Sequence, residues 1–118
     1  WQFKLPHDYD GGTVTAQVVW GAGSGTGNVI WGVQGVSFAD LGTLDSDFGT
    51  AVTVTDALSA TSKIHITSAT GAMTFAGSPA ADQWAVIQLY RDANATGDTL
   101  TADARMIGVI LTYTKKMS

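Results

Sequence analysis

The chain has 118 residues, no cysteine, a formal net charge of −4, and ten acidic residues that are all Asp. That length suits a single domain over residues 1–118, able to bury roughly two-thirds of its unfolded surface without covalent staples. Disulfides and thiolate catalysis are excluded. Six Lys and Arg residues leave no basic footprint for nucleic acid, and no apolar run is long enough for membrane insertion. No segment reads as a signal peptide. The chain opens on Trp1 and reads equally as a processed product or as a domain of a longer protein. With Asp in place of Glu and abundant Thr and Gly, the composition favours strands and turns over helices.

Trp1 to Leu5 alternates as a first strand, ended by Pro6. After the turn at His7 to Gly12 comes Thr13 to Trp20, where Val14, Ala16, Val18 and Trp20 share one face. Such period-2 alternation predicts a half-buried strand. The glycine-rich run from Gly21 to Asn28 leads into a third strand, Asn28 to Val36. Gly32 and Gly35 within it signal a bulge or a close backbone approach. Phe38, Leu41, Leu44 and Phe48 recur at three or four residues, so Ser37 to Phe48 reads as a loop with one or two helical turns packed on a sheet edge. Short strands are expected at Thr50 to Thr55, Lys63 to Thr67 and Ala72 to Ala76. Two longer ones are expected at Gln83 to Tyr90 and Arg105 to Thr114, separated by a loop of about a dozen residues. With no βαβ spacing, this pattern predicts an all-β chain: an antiparallel β-sandwich of jelly-roll type, with about eight short strands and at most one or two helical turns.

The last two strands carry apolar residues at both parities, whereas a strand with one wet face alternates. The second face therefore needs a cover, and in so short a chain another copy of itself is the natural one. Trp84, Val86, Met106, Gly108 and Ile110 are the candidate oligomer-interface residues.

Nothing in the spacing establishes a reaction. The Gly21 to Gly27 run feeds a strand rather than a helix and lacks a following Lys, so it is not a phosphate cradle. His7 near Asp8 and Asp10 makes two ligands without a third, and His65 between two isoleucines reads as a solvent-facing or interface residue. The Asp residues at 45, 47, 92 and 98 are explained by turn capping. No catalytic residue, cofactor or metal site is expected. A carbohydrate- or receptor-binding module would need an exposed aromatic platform, for which Trp1, Tyr9 and Trp31 are the candidates, Tyr9 and Trp31 foremost.

Several short pieces resemble a module recurrent in structural proteins of tailed phages from marine and other environments. They are Phe3-Lys-Leu-Pro-His-Asp-Tyr-Asp-Gly-Gly12, Val18-Val-Trp20, Val29-Ile-Trp-Gly32, Phe38-Ala-Asp40, Phe48-Gly-Thr50, Leu89-Tyr-Arg-Asp92, Gly97-Asp-Thr-Leu100 and Ala104-Arg-Met-Ile-Gly108. The resemblance implies a non-enzymatic virion component: a head fibre, decoration or tail-associated β-sandwich that self-associates, with a trimer favoured. Its implied partners are other virion proteins and a host surface glycan or receptor. The family brings no catalytic residues.

Overall fold

The computed structural model describes residues 1–117. Seven strands form: β1 (Gln2–Lys4), β2 (Tyr9–Gly21), β3 (Asn28–Phe38), β4 (Val52–Ala57), β5 (His65–Ile66), β6 (Trp84–Arg91) and β7 (Arg105–Lys115). They make a four-stranded sheet ordered β1-β6-β3-β4 and a three-stranded sheet ordered β5-β2-β7, and every pairing within them is antiparallel. The two sheets pack as a β-sandwich. Only the β3–β4 connection stays within one sheet; the chain crosses between sheets at every other step.

The core forms where the inward faces meet. Val14, Ala16, Val18 and Trp20 of β2 are all buried, as their alternation requires, and face Val29, Trp31 and Val33 of β3 and Ala85 and Ile87 of β6. Trp20 and Trp31 touch across the sheets with ring centroids 6.0 Å apart. The glycines of β3 serve close approaches. A Cβ on inward-facing Gly35 would lie 2.6 Å from the Phe75 ring, and Gly32 on the opposite face lies beneath Tyr90.

The segment following β5 is not a regular strand, yet it completes the edge of β2. The Thr67 amide donates to the Val18 carbonyl, 3.1 Å, while the Val18 amide donates back to Thr67 Oγ1, 3.0 Å. Three residues on, Thr70 repeats the exchange with Ala16 at 2.8 and 3.1 Å. A further three on, Met73 makes an ordinary backbone pair with Val14. The chain then reaches the other sheet, where Ser37 donates to Ala76 and Ala76 to Gly35. Thr67-x-x-Thr70-x-x-Met73 thus straps one side of the sandwich closed, with hydroxyls standing in for carbonyls.

Two expectations need correction. Ser37 and Phe38 end β3, and the chain from Ala39 to Phe48 forms turns and irregular loop with no helix. Leu41 adopts a left-handed backbone, φ 66°, which interrupts a helix, and Leu41 and Leu44 project into solvent at 97% and 93% exposure rather than onto a sheet edge. The expected strand at Ala72 to Ala76 is reduced to two isolated bridges, Val14 with Met73 and Val36 with Ala76.

Thr67→Val and Thr70→Val each keep the side-chain shape but leave a buried β2 amide unpaired. Each is expected to cost about 1–3 kcal/mol in urea unfolding, whereas Thr→Ser at the same positions keeps the oxygen and most of the stability. Equal losses for Val and Ser would contradict the role given to the hydroxyls.

Candidate functional site

Alternation along β6 decides which side chains leave the core. Ala85 and Ile87 are buried, so Trp84, Val86, Gln88 and Tyr90 point outward. Cross-strand register builds rows on that face: Phe38–Trp84–Lys4, Val36–Val86–Gln2, Gln34–Gln88 and Gly32–Tyr90. Gln34 donates to Gln88 through their side-chain amides, and the Trp84 indole N–H donates to Gln2 Oε1 at 3.1 Å. Trp84 is 48% exposed. Beside it, a shallow trough of about 330 Å³ is lined by Phe38, Asp40, Asp82 and Gln83. Asp82 is fixed there by Lys4 Nζ at 2.8 Å and His7 Nδ1 at 2.7 Å. Those two partners, Lys4 foremost, hold its carboxyl below the usual carboxylate range.

The outward face of the other sheet is different. Val19 stands between Ile66 on β5 and Gly108 on β7, with the Gln17–Ile110 pair in the next row. The register slips between Val19 and Trp20, so one residue of β7 is bulged. That bulge turns Met106 inward against the core and puts Ile107 outside. Ile66, Ile107 and Ile110 are 54%, 46% and 42% exposed. A Cβ on Gly108 would meet nothing within 4 Å, so the glycine leaves open space beside them.

The five residues grouped by sequence as one oligomer interface are therefore distributed over three places. Trp84 and Val86 lie on the outward face of the four-stranded sheet, and Gly108 and Ile110 on that of the three-stranded sheet. Met106 packs on the core. Of the aromatic candidates, Tyr9 and Trp31 are both 2% exposed and offer no platform to solvent, whereas Trp1 is 56% exposed at the rim of the cleft described below. Trp31 shares its parity with buried Val29 and Val33, a signal present in the sequence. Its indole N–H is buried without a hydrogen-bond partner, whereas that of Trp20 donates to Asp56 at 2.9 Å.

Tyr9 donates its hydroxyl to the Gly12 carbonyl and meets Tyr113 edge-on at 6.2 Å. Burial, then the neighbouring Asp10, push its phenol upward. The Tyr113 hydroxyl donates to Asp8 at 2.7 Å, which raises its own pKa. Both tyrosines line an apolar cleft of about 310 Å³ with Trp1, Phe3, Phe75 and Leu111, on the open side of the sandwich between β1 and β7. No motif announced it, because its walls come from segments distant in sequence.

The remaining polar groups brace loops. Arg91 forms a two-pronged pair with Asp98 at 3.0 and 2.7 Å and also donates to the Leu100 and Ala102 carbonyls. Asp98, its side chain only 1% exposed, accepts in addition from the Ile30 amide at 3.0 Å. The long loop after β6 is thus pinned and sends Leu100 into the core. His65 does not face solvent. It lies 8% exposed against Trp20, centroids 4.9 Å apart. Its Nε2 accepts from the Ser59 and Ala60 amides and its Nδ1 donates to the Lys63 carbonyl, 3.0 Å, which assigns the proton to Nδ1. Among the described residues, no three His or Asp side chains converge as a metal site.

Comparison with protein-family models, with curated proteins and with solved structures finds no match to the chain.

The guanidinium of Arg91 holds the Asp98 carboxyl below the ordinary range. A lowered folded-state pKa stabilises fully above the unfolded value and is lost as pH falls through the folded one. Asp98→Asn is expected to cost about 3 kcal/mol near neutrality, since it leaves Arg91 without its partner. It should also weaken the loss of stability on acidification below about pH 4. Urea midpoints of both proteins across pH check this; parallel acid profiles would contradict it.

Proposed function

We propose that this chain is a non-enzymatic structural module that self-associates through the outward face of its three-stranded sheet, as a component displayed on a virus particle. The observation that carries the reading is the patch of Ile66, Ile107 and Ile110 around Val19 and Gly108. Half-exposed isoleucines gain about 1 kcal/mol each when covered. An apolar sheet face suits a second copy, because a knob such as Ile110 and the open space over Gly108 lie on the same surface.

The surface area supports a missing neighbour. A compact monomer of this mass exposes about 6,100 Å², whereas this chain exposes 6827 Å². The radius of gyration, 15.5 Å, likewise exceeds the roughly 13.5 Å of a compact domain of this length. The thin, elongated sandwich, 45 × 31 × 19 Å, resembles one layer of a larger assembly. β7 also forms an outer edge of its sheet along Arg105–Lys115, and a closed oligomer would protect it. A homotrimer is the favoured order, with other virion proteins as further partners. The placement on a particle rests on the short phage-like pieces distributed along the chain.

Ile110→Asp places a charge on the patch without disturbing the core. In light scattering coupled to gel filtration, the native protein is expected at a multiple of 12.3 kDa. The variant is expected at the mass of one chain, unfolding at the temperature of native protein diluted until it too runs at single-chain mass. A native protein at single-chain mass, or a variant assembled like the native one, would overturn the reading.

A further inference from the structure

The outward face of the four-stranded sheet has a chemistry unlike the isoleucine patch. Aromatic rings stand at its two ends, Trp84 with Phe38 at one and Tyr90 over Gly32 at the other. Strand rise puts Trp84 and Tyr90 about 20 Å apart. Between them lie Val86, beside a Val36 that is itself buried, and the hydrogen-bonded amides of Gln34 and Gln88. The trough at the Trp84 end adds two carboxylates, Asp40 and Asp82.

We propose that this face binds an uncharged oligosaccharide lying along β6, with the Trp84 ring as its stacking platform. A sugar ring presents an apolar C–H face edged by hydroxyls, and needs an exposed aromatic plane flanked by planar acceptors and donors. Trp84 supplies the plane, and Asp40, Asp82 and the Gln34–Gln88 pair supply the flanking groups. The paired amides of Gln34 and Gln88 across the middle keep further donor and acceptor capacity for hydroxyls. Lys4 offsets the charge of Asp82, so it is Asp40 that disfavours anionic ligands such as sialylated glycans or phosphates. Both carboxylates accept well from neutral hydroxyls.

The groups are also held in place before any ligand arrives. The indole is tethered through its N–H to Gln2, and Asp82 is clamped by Lys4 and His7. Asp82 holds a left-handed backbone, φ 67°, rarely adopted by non-glycine residues. Side chains fixed in advance lose little entropy on binding, which favours weak, shallow recognition of this kind. The site lies on the sheet opposite the isoleucine patch and does not depend on self-association.

The test is an array of immobilised neutral, sialylated and sulfated glycans, probed with the native protein, Trp84→Ala and Ile110→Asp, followed by titration of each hit. The expected result is binding to neutral chains, weakened about tenfold or more by Trp84→Ala. The per-chain affinity of Ile110→Asp should equal that of the native protein, whatever its mass. Three results would overturn the proposal: no neutral glycan bound, binding confined to anionic glycans, or neutral binding unchanged in Trp84→Ala. A Trp84→Ala protein that binds no less but assembles differently would make this face a protein contact instead.

Discussion

The sandwich depends on how the chain completes the edge of β2. A strand edge carries unpaired amides and carbonyls, which cannot be buried without partners. Here a segment advancing three residues for every two of β2 satisfies them, using the hydroxyls of Thr67 and Thr70 in place of backbone oxygens. Because it needs no full strand, the chain can leave β2 at Met73 and bond β3 by Ala76, joining the sheets on that side. The opposite side, between β1 and β7, has no such strap among the described residues and carries the apolar cleft.

Buried polar side chains do comparable work elsewhere. Arg91 and Asp98 satisfy each other and three backbone groups of the loops around them. His65 gathers the Ser59, Ala60 and Lys63 backbone beneath the Trp20 ring. A buried ion pair of this kind adds little net stability over an apolar substitute, but it penalises every arrangement that separates the charges. The loops are thereby fixed, and the two broad outward faces remain open for interaction.

Much of this was legible in the sequence. The alternation of Val14, Ala16, Val18 and Trp20 gave the inward face of β2, and the apolar residues at both parities of β6 and β7 pointed to surface beyond the core. Gly32 and Gly35 marked close approaches, which Tyr90 and Phe75 make. The interface grouping failed at Met106 because a bulge reverses the parity of β7, and nothing in the run Arg105 to Gly108 marks it. It also failed to separate Trp84 from Ile110, since sequence does not say that β6 and β7 belong to different sheets. The period-3 threonines fell outside both the strand and helix templates. The 3–4 spacing from Phe38 to Phe48 imitated a helix that the left-handed Leu41 precludes. His65 was read from its isoleucine neighbours, although its own ring belongs under Trp20.

The two outward faces differ in chemistry: isoleucines around a glycine on one, aromatic rings and amides with carboxylates on the other. A module that assembles by the first keeps the second open. Hydroxyl-radical footprinting of the native protein, from dilute to concentrated solution, reads both faces at once. Assembly through the three-stranded sheet predicts that Ile66, Ile107 and Ile110 become protected as concentration rises, while Trp84 and Tyr90 stay reactive. Protection of Trp84 with the isoleucines still reactive would contradict it.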